Sequence, residues 1–335
     1  MRVLLVKLSS MGDIIHTLPA ITDAFASIPG ISFTWVVEEG FQEIAQWHPA
    51  VTKVISIALR KRKYKQIFAA IKDIRSEHYD LVIDAQGLIK SAVVARLSRA
   101  TSRAGYDKNS SREAPASMLY NKKIAVATDE HAILRMRQLF AQALGYNIDP
   151  EKITYGILWN KLIASQNNTR PYLVFLHGTT WDSKHWNDRY WVELANLVSS
   201  HGFDVQVTWA TDQQKQRAQM LADLCKNVTM LPHLTINQAA NVLYNSRGVV
   251  AVDTGFAHLA AALEKPMVAI YGSTDITKSG TSGNSTINLS SKFHCAPCMQ
   301  RSCALLSTTV TTPPCYQEIS PQLVWQNLTT MIANV

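Results

Sequence analysis

The stretch GVVAVDTGFAHLAAAL, residues 248–263, decides the fold. Gly248 to Val252 is a short apolar run, Asp253-Thr254-Gly255 is a polar turn, and Ala257 to Leu263 reads as the start of a helix. A buried strand that stops at a polar turn and restarts as a helix is the repeating unit of a parallel α/β sheet, and a natural anion site. The first N–H groups of such a helix have no partner within it, point at the turn and share the positive end of the helix dipole. His258 falls one turn into the helix, within reach of the same spot. Asp253 and Thr254 would serve equally as ordinary helix caps, so the stretch by itself leaves both roles open.

The same pattern extends outward in both directions. Upstream, Tyr172–Leu176 is a strand ending in His177-Gly178-Thr179-Thr180, followed by Lys184 and then by Asn187 as N-cap of a helix from Asp188 to Ser200. Two hydroxyls and a lysine beside a strand end suit a diphosphate, Thr179 and Thr180 by hydrogen bonds and Lys184 as a point charge. Strands at 203–210, 228–231 and 267–271 alternate with helices at 214–225 and 236–244.

In the first half, Val3–Leu8 runs into Ser9-Ser10-Met11-Gly12-Asp13 and a helical pattern of apolar residues. This edge lacks both the dinucleotide and the P-loop glycine signatures. It presents a carboxylate instead: Asp13 can accept a proton from a hydroxyl nucleophile, or it can cap the helix. Strands follow at 33–37 and 53–58, then the basic run Arg60-Lys61-Arg62-Lys63, which is either a solvated surface or a patch for phosphate and carboxylate. Leu81–Gly87 leads into a helix from Leu88 to Leu97, and Arg112-Glu113 and Lys122-Lys123 read as a long polar connection. Turn-forming residues over 146–168 mark a linker, with the domain boundary near residue 160. The alternation implies two parallel-sheet domains, 1–160 and 161–319, facing across a cleft, and a terminal helix within 320–335 that packs back on the first.

Composition narrows the setting. Apolar residues make up 47% and charged residues 17%, and no apolar run is long enough to span a bilayer, which predicts a soluble globular protein. Lys7 inside the first apolar run argues for a strand and against a signal peptide. Of five cysteines, Cys295, Cys298, Cys303 and Cys315 crowd the tail in no secreted-disulfide pattern, so the expected compartment is the cytoplasm. C-x-x-C is half of a zinc site, but the irregular gaps that follow favour free thiols. Lys and Arg exceed Asp and Glu by 21 to 15 in residues 1–160 and by only 12 to 10 thereafter, so the first half carries the attraction for an anionic partner. Nucleic acid is disfavoured, because Tyr64 is the one aromatic beside the basic run.

With these motifs in place, the chain resembles the lipopolysaccharide heptosyltransferases of glycosyltransferase family 9, and their type I branch most closely. The carrying segments are KLSSMGDIIHTLPAITDA (7–24), WVVEEGF (35–41), DAQGLIKSA (84–92), SREAPASMLYN (111–121), FLHGTTWDSKHW (175–186) and VDTGFAHLAAALEKP (252–266). The resemblance implies a GT-B fold of two Rossmann-like domains. The implied reaction moves L-glycero-D-manno-heptose from ADP-heptose to the 5-hydroxyl of Kdo on Kdo-lipid A, with inversion. A family member acting on a core heptose is the alternative. Asp13 matches the family's general base. Lys184, Thr179, Thr180, Asp253, Thr254, Gly255 and His258 match the donor side, where they would stabilise departing ADP without a metal or other cofactor. Gln214 stands where type I enzymes often hold the ribose with a glutamate. Ser10, Gly12, Arg60, Lys61, Arg62, Lys63 and Arg112 match the acceptor side. The implied location is the cytoplasmic face of the inner membrane of a Gram-negative bacterium, held peripherally by its anionic surface. The segment 277–285 and the cysteine-rich tail depart from the type I pattern.

Overall fold

The computed structural model describes residues 1–159, 170–307 and 312–333. It divides into two units, Met1–Lys161 and Leu162–Val335. The boundary expected near residue 160 falls in 160–169, outside the described residues.

The first unit is built on β1 (Arg2–Val6), β2 (Ser32–Glu38), β3 (Val51–Ile57), β4 (His78–Asp84), β5 (Arg99–Tyr106) and β6 (Lys122–Ile124), with α1 (Met11–Ser27), α2 (Gln42–Ala45), α3 (Tyr64–Ser76), α4 (Ile89–Leu97) and α5 (Ala132–Leu144). The strands are parallel and lie in the order β3-β2-β1-β4-β5-β6. Val3 to Val6 are wholly buried, as expected of a central strand with helices on both faces, and so the strand is a continuous apolar run. On one face Leu4, Val6, Val36, Ile55 and Val82 pack with Ile74 of α3 and Val94 of α4. The pair Lys122-Lys123, expected in an irregular connection, forms the outermost strand β6 instead. Its lysines are exposed, which an edge strand tolerates because it packs against one neighbour only.

The second unit holds β7 (Tyr172–Leu176), β8 (Asp204–Val207), β9 (Val228–Met230), β10 (Gly248–Val252), β11 (Met267–Tyr271) and β12 (Thr286–Ser290) in the order β12-β11-β10-β7-β8-β9, again all parallel. Between them run α6 (Asp188–Ser200), α7 (Asp212–Leu224), α8 (Ile236–Asn245), α9 (Gly255–Ala262) and the short α10 (Ile276–Ser279). Trp186 and Trp191, both fully buried, stack edge to face with centroids 5.0 Å apart in the core under α6. The final helix α11 (Pro321–Ile332) buries Val324, Trp325 and Leu328 against α6 and β10. Gly248 permits that approach, since a Cβ there would lie 3.1 Å from Leu328. Within its own unit this helix, expected from the sequence on the first domain, packs on α6 and β10. Among the described residues no helix is long and apolar enough to cross a membrane.

Both sheets are doubly wound Rossmann-like sheets, the two domains expected of a GT-B chain. In each, the winding reverses beside the first strand of the unit, between β1 and β4 in one and between β7 and β10 in the other. Loops leaving adjacent strands at such a point diverge to opposite faces and open a crevice, which is where α/β sheets bind ligands.

Candidate active site

At the reversal point of the first sheet, Ser10 is the N-cap of α1 and Asp13 is the third residue of its first turn. The Ser10 N–H and hydroxyl both donate to Asp13 Oδ2, at 2.8 and 2.9 Å. Asp13 Oδ1 faces the Lys7 ammonium at 3.4 Å, and Lys7 also donates to the Ala85 carbonyl at 3.1 Å. Burial alone pushes the Asp13 carboxyl up, but Lys7, the Ser10 hydrogen bonds and His16 together outweigh it and hold the group well below the usual carboxylate range. Asp13 therefore stays ionised while its side chain remains about a third exposed. Gly12 lies in the same turn, half-buried.

Neighbouring strand ends complete this edge. Gln86 Oε1 accepts from the Leu8 and Ser9 N–H groups at 3.0 and 3.1 Å, tying the β4 turn to the β1 turn. Asp84, fully buried, accepts from Tyr120 at 2.7 Å and from the Gln86 N–H at 2.9 Å, and burial raises its pKa. Gly87 takes a left-handed φ of 67°, and the backbone of Ser111-Arg112 passes directly over it, so that Arg112 comes to this turn. On the other side, the Glu38 N–H donates to the Leu8 carbonyl and Glu38 Oε1 accepts from the Arg60 N–H at 3.0 Å. The basic run leaves β3 at the same edge, but its charge is partly committed: Lys61 and Lys63 both pair with Glu39, at 2.6 and 3.1 Å. Arg60 lies over the Phe41 ring, and Arg62 is exposed with φ 49°. The expected acceptor residues thus gather on one sheet edge, with less free charge than a count of cations suggests.

The edge of the second sheet gathers an ammonium, hydroxyls and a helix start. Lys184 Nζ sits 2.7 Å from Asp253 Oδ2 and over the Trp181 ring, with its side chain 14% exposed. Thr274 donates to the same carboxylate oxygen at 2.6 Å, and Thr179 donates to the Asp253 carbonyl at 3.0 Å. Asp253 is therefore neither a free carboxylate nor a helix cap: it anchors three strand ends to each other. Thr254 is the N-cap of α9 without a side-chain capping bond, and Gly255 opens the helix; in that turn the Ala257 N–H returns to the Thr254 carbonyl at 3.0 Å, and no Thr254 side-chain bond caps the N–H groups before it. His258 is buried on α9, and Thr180 is exposed at the turn. Gln214, in the first turn of α7, accepts from the Ala210 N–H at 2.9 Å and lies against Gly178, where a Cβ would come within 2.6 Å of its amide carbon. His177 beneath this turn is fully buried, and burial, with Arg217 and His185 nearby, lowers its pKa to about 3, so it carries no charge to the site.

Sequence reasoning missed Lys7, Gln86, Trp181 and Thr274. A lysine closing an apolar strand six residues before Asp13 was a usable signal; the others are visible only once the strand ends lie side by side. Among the described residues, no group of three or more His, Cys, Asp or Glu is arranged to hold a metal ion. The tail cysteines are free thiols, and burial, with the neighbouring Cys295, Cys303 and Cys298, pushes the Cys315 thiol up to about 12.

Residues 67–308 match the model of glycosyltransferase family 9 (heptosyltransferase). Lipopolysaccharide heptosyltransferase 1 of Pseudomonas aeruginosa is 44% identical over 99% of this chain and 98% of its own length. Its Escherichia coli counterpart is 44% identical over 82% of this chain and 89% of its own. The structure of E. coli heptosyltransferase WaaC with ADP-2-deoxy-2-fluoro heptose superposes with a TM-score of 0.83 at 36% identity, covering 98% of this chain and 99% of that one. On the family match and these identities, the chain belongs to glycosyltransferase family 9, the heptosyltransferases.

Proposed function

We propose that the protein transfers heptose from ADP-heptose to the 5-hydroxyl of Kdo on Kdo-lipid A, in the assembly of the lipopolysaccharide inner core. The observation that carries this reading is the pairing of chemistries at the two reversal points: an ionised, oriented carboxylate on one sheet and an ammonium, hydroxyls and a helix start on the other. Relatives that are alike over nearly the full chain and bear the name lipopolysaccharide heptosyltransferase 1 support it.

In this reading Asp13 accepts the proton of the acceptor hydroxyl as that oxygen attacks the anomeric carbon of the heptose. The bond from that carbon to the diphosphate oxygen breaks on the opposite face, giving inversion, and ADP leaves with the electron pair. Lys184, Thr179, Thr180 and the first N–H groups of α9 balance the charge that develops on the leaving diphosphate. Gln214 holds the ribose, with Asp253 fixing Lys184. Ser10 and Gly12 border the acceptor hydroxyl, and Arg60–Lys63 with Arg112 bind the Kdo carboxylates and lipid A phosphates. Because the acceptor is lipid-anchored, the protein works on the anionic cytoplasmic surface of the inner membrane without spanning it.

The test is transfer from ADP-heptose to de-acylated Kdo-lipid A without added metal. Product with this acceptor and none with a heptosylated core supports the reading; the reverse preference assigns the chain to a later step of the same pathway.

A further inference from the structure

We propose that the outer face of α3 and α4 is the surface by which the protein docks on an anionic lipid bilayer. The proposal rests on the reading of the acceptor as a lipid-anchored substrate, and it names the part of the molecule that meets the lipid.

On α3, Lys65, Phe68, Lys72 and Arg75 follow one another at steps of three and four residues and form a single exposed stripe. Phe68 is 71% exposed and Tyr64, one turn before it, 67%. An aromatic side chain left in water at that level is not supporting the core. On α4 the exposed positions are Ile89, Lys90, Val93 and Arg96, again apolar and basic in alternation. The two helices are neighbours, joined where Arg75 donates to the Leu97 carbonyl at 3.5 Å. Between α3 and the start of β5 lies an open groove of about 480 Å³, lined by Phe68, Ile71, Lys72, Arg75, Ser76 and Arg99.

Away from the start of α4, where exposed Glu113 accepts from the Ile89 N–H at 2.7 Å, the charge on this face is of one sign. The single carboxylate on α3, Asp73, is turned to Lys53 of β3 at 2.5 Å, and α4 has none. Among the described residues, no carboxylate lies within ion-pair distance of Lys65, Lys72, Arg75, Arg96 or Arg99, in contrast to Lys61 and Lys63. A solvated helix surface ordinarily mixes signs. Apolar side chains framed by cations match a headgroup layer: the cations meet lipid phosphates while Phe68 and Val93 enter the acyl boundary, with Ile89 beside Glu113 at the rim. The aliphatic members argue for lipid over nucleic acid, which would use stacked aromatics. α3 also begins directly at Lys63, its N-cap, so a bilayer on this face reaches the acceptor-binding edge.

The test is co-sedimentation of the full chain with vesicles of phosphatidylcholine alone and with added phosphatidylglycerol. Wild type is expected to bind only the anionic vesicles, with affinity falling as salt rises. Each basic residue near such a surface contributes about fivefold in partition, so Lys72→Ala with Arg75→Ala should lose about 25-fold. Phe68→Ala should lose several-fold without changing the salt dependence. All these variants should keep wild-type turnover on the de-acylated acceptor and lose it in proportion to binding on acceptor carried in vesicles. The proposal is overturned if wild type ignores anionic vesicles, if the variants bind them as well as wild type, or if the loss appears only for an oligonucleotide probe. Absence of transfer to any soluble acceptor, with vesicle binding lost in the variants, would remove the proposed reaction and leave the docking surface standing.

Discussion

Lys7 and Asp13 face each other across the first strand–helix turn, Nζ to Oδ1 at 3.4 Å, with the lysine side chain 3% exposed and the carboxylate 33%. The second carboxylate oxygen is held by Ser10. The Lys7 pairing and the helix capping therefore fall on different oxygens of one group, and the proposed role as base can be tested apart from capping by substitution.

Asp13→Asn keeps an acceptor for the Ser10 N–H but has no basicity and leaves the Lys7 ammonium facing a neutral amide. Its kcat is expected to fall about 10²- to 10⁴-fold, and part of the stability that the Lys7 pairing supplies should be lost with it. Asp13→Ala should lose the same activity and also about 1–3 kcal/mol of stability, because Lys7 is left buried without its partner. Turnover and urea unfolding on both variants check this, and an active Asn variant would leave Asp13 a capping residue only. Since the folded carboxyl is depressed below its ordinary 3.8, kcat/KM should show no acid limb from Asp13 between about pH 5 and 8.

Lys184→Ala should lower kcat/KM for ADP-heptose about 10- to 150-fold, the range for a charge-assisted hydrogen bond. The loss has two parts, since Asp253 then faces the diphosphate with only Thr274 bound to it. Adding Asp253→Asn should recover the repulsive part, and a double-mutant cycle on donor affinity would show it as a coupling between the two. Strict additivity would mean that Asp253 does not act through Lys184.

Gly178→Ala places a methyl group 2.6 Å from the Gln214 amide carbon, at the far end of a flexible side chain. The side chain swings away at little cost in stability. The KM for donor should rise several-fold, as in Gln214→Ala, with the melting temperature nearly unchanged. If Gly178→Ala leaves the KM alone, Gln214 does not hold the donor.

His48 gives one part of the pH dependence of stability, and buried His177 another of the same sign. His48 is buried, accepts from the Ala50 N–H at 3.1 Å, sits 3.0 Å from the Thr22 hydroxyl, and burial lowers its pKa from 6.5 to about 4. Between those values the unfolded chain binds a proton and the folded chain does not, so stability is full above about 6.5 and is lost as pH falls toward 4. Urea unfolding from pH 7 to 4 should show this decline, and His48→Asn should lessen it, leaving the part that buried His177 contributes.

Most of the fold was legible because central strands buried on both faces must be continuous apolar runs, as at 3–8, 172–176 and 248–252. The strands that escaped are β5, β6 and β12, whose RATSRAGY, KKI and TINLS lie toward sheet edges and need no such run. The candidate site was legible as residue types at strand ends. What was not legible is how charge is shared: Glu39 takes up two cations of the basic run, and Asp253, which resembled a cap, is the counter-ion of Lys184. Pairings between residues this far apart in the chain exist only once the sheets are wound.

Strands one to six of each unit are laid down in the same spatial order, although the two halves share no visible sequence repeat. Each half closes its own sheet over its own core, so what happens at one set of strand ends is not dictated by the folding of the other half. Under the proposed division of roles, a lineage built this way can rewrite the turns after β1 to β4 to follow a changing acceptor while the turns after β7 and β10 keep the same sugar nucleotide. New specificities then require loop exchange within one half and no redesign of the whole chain.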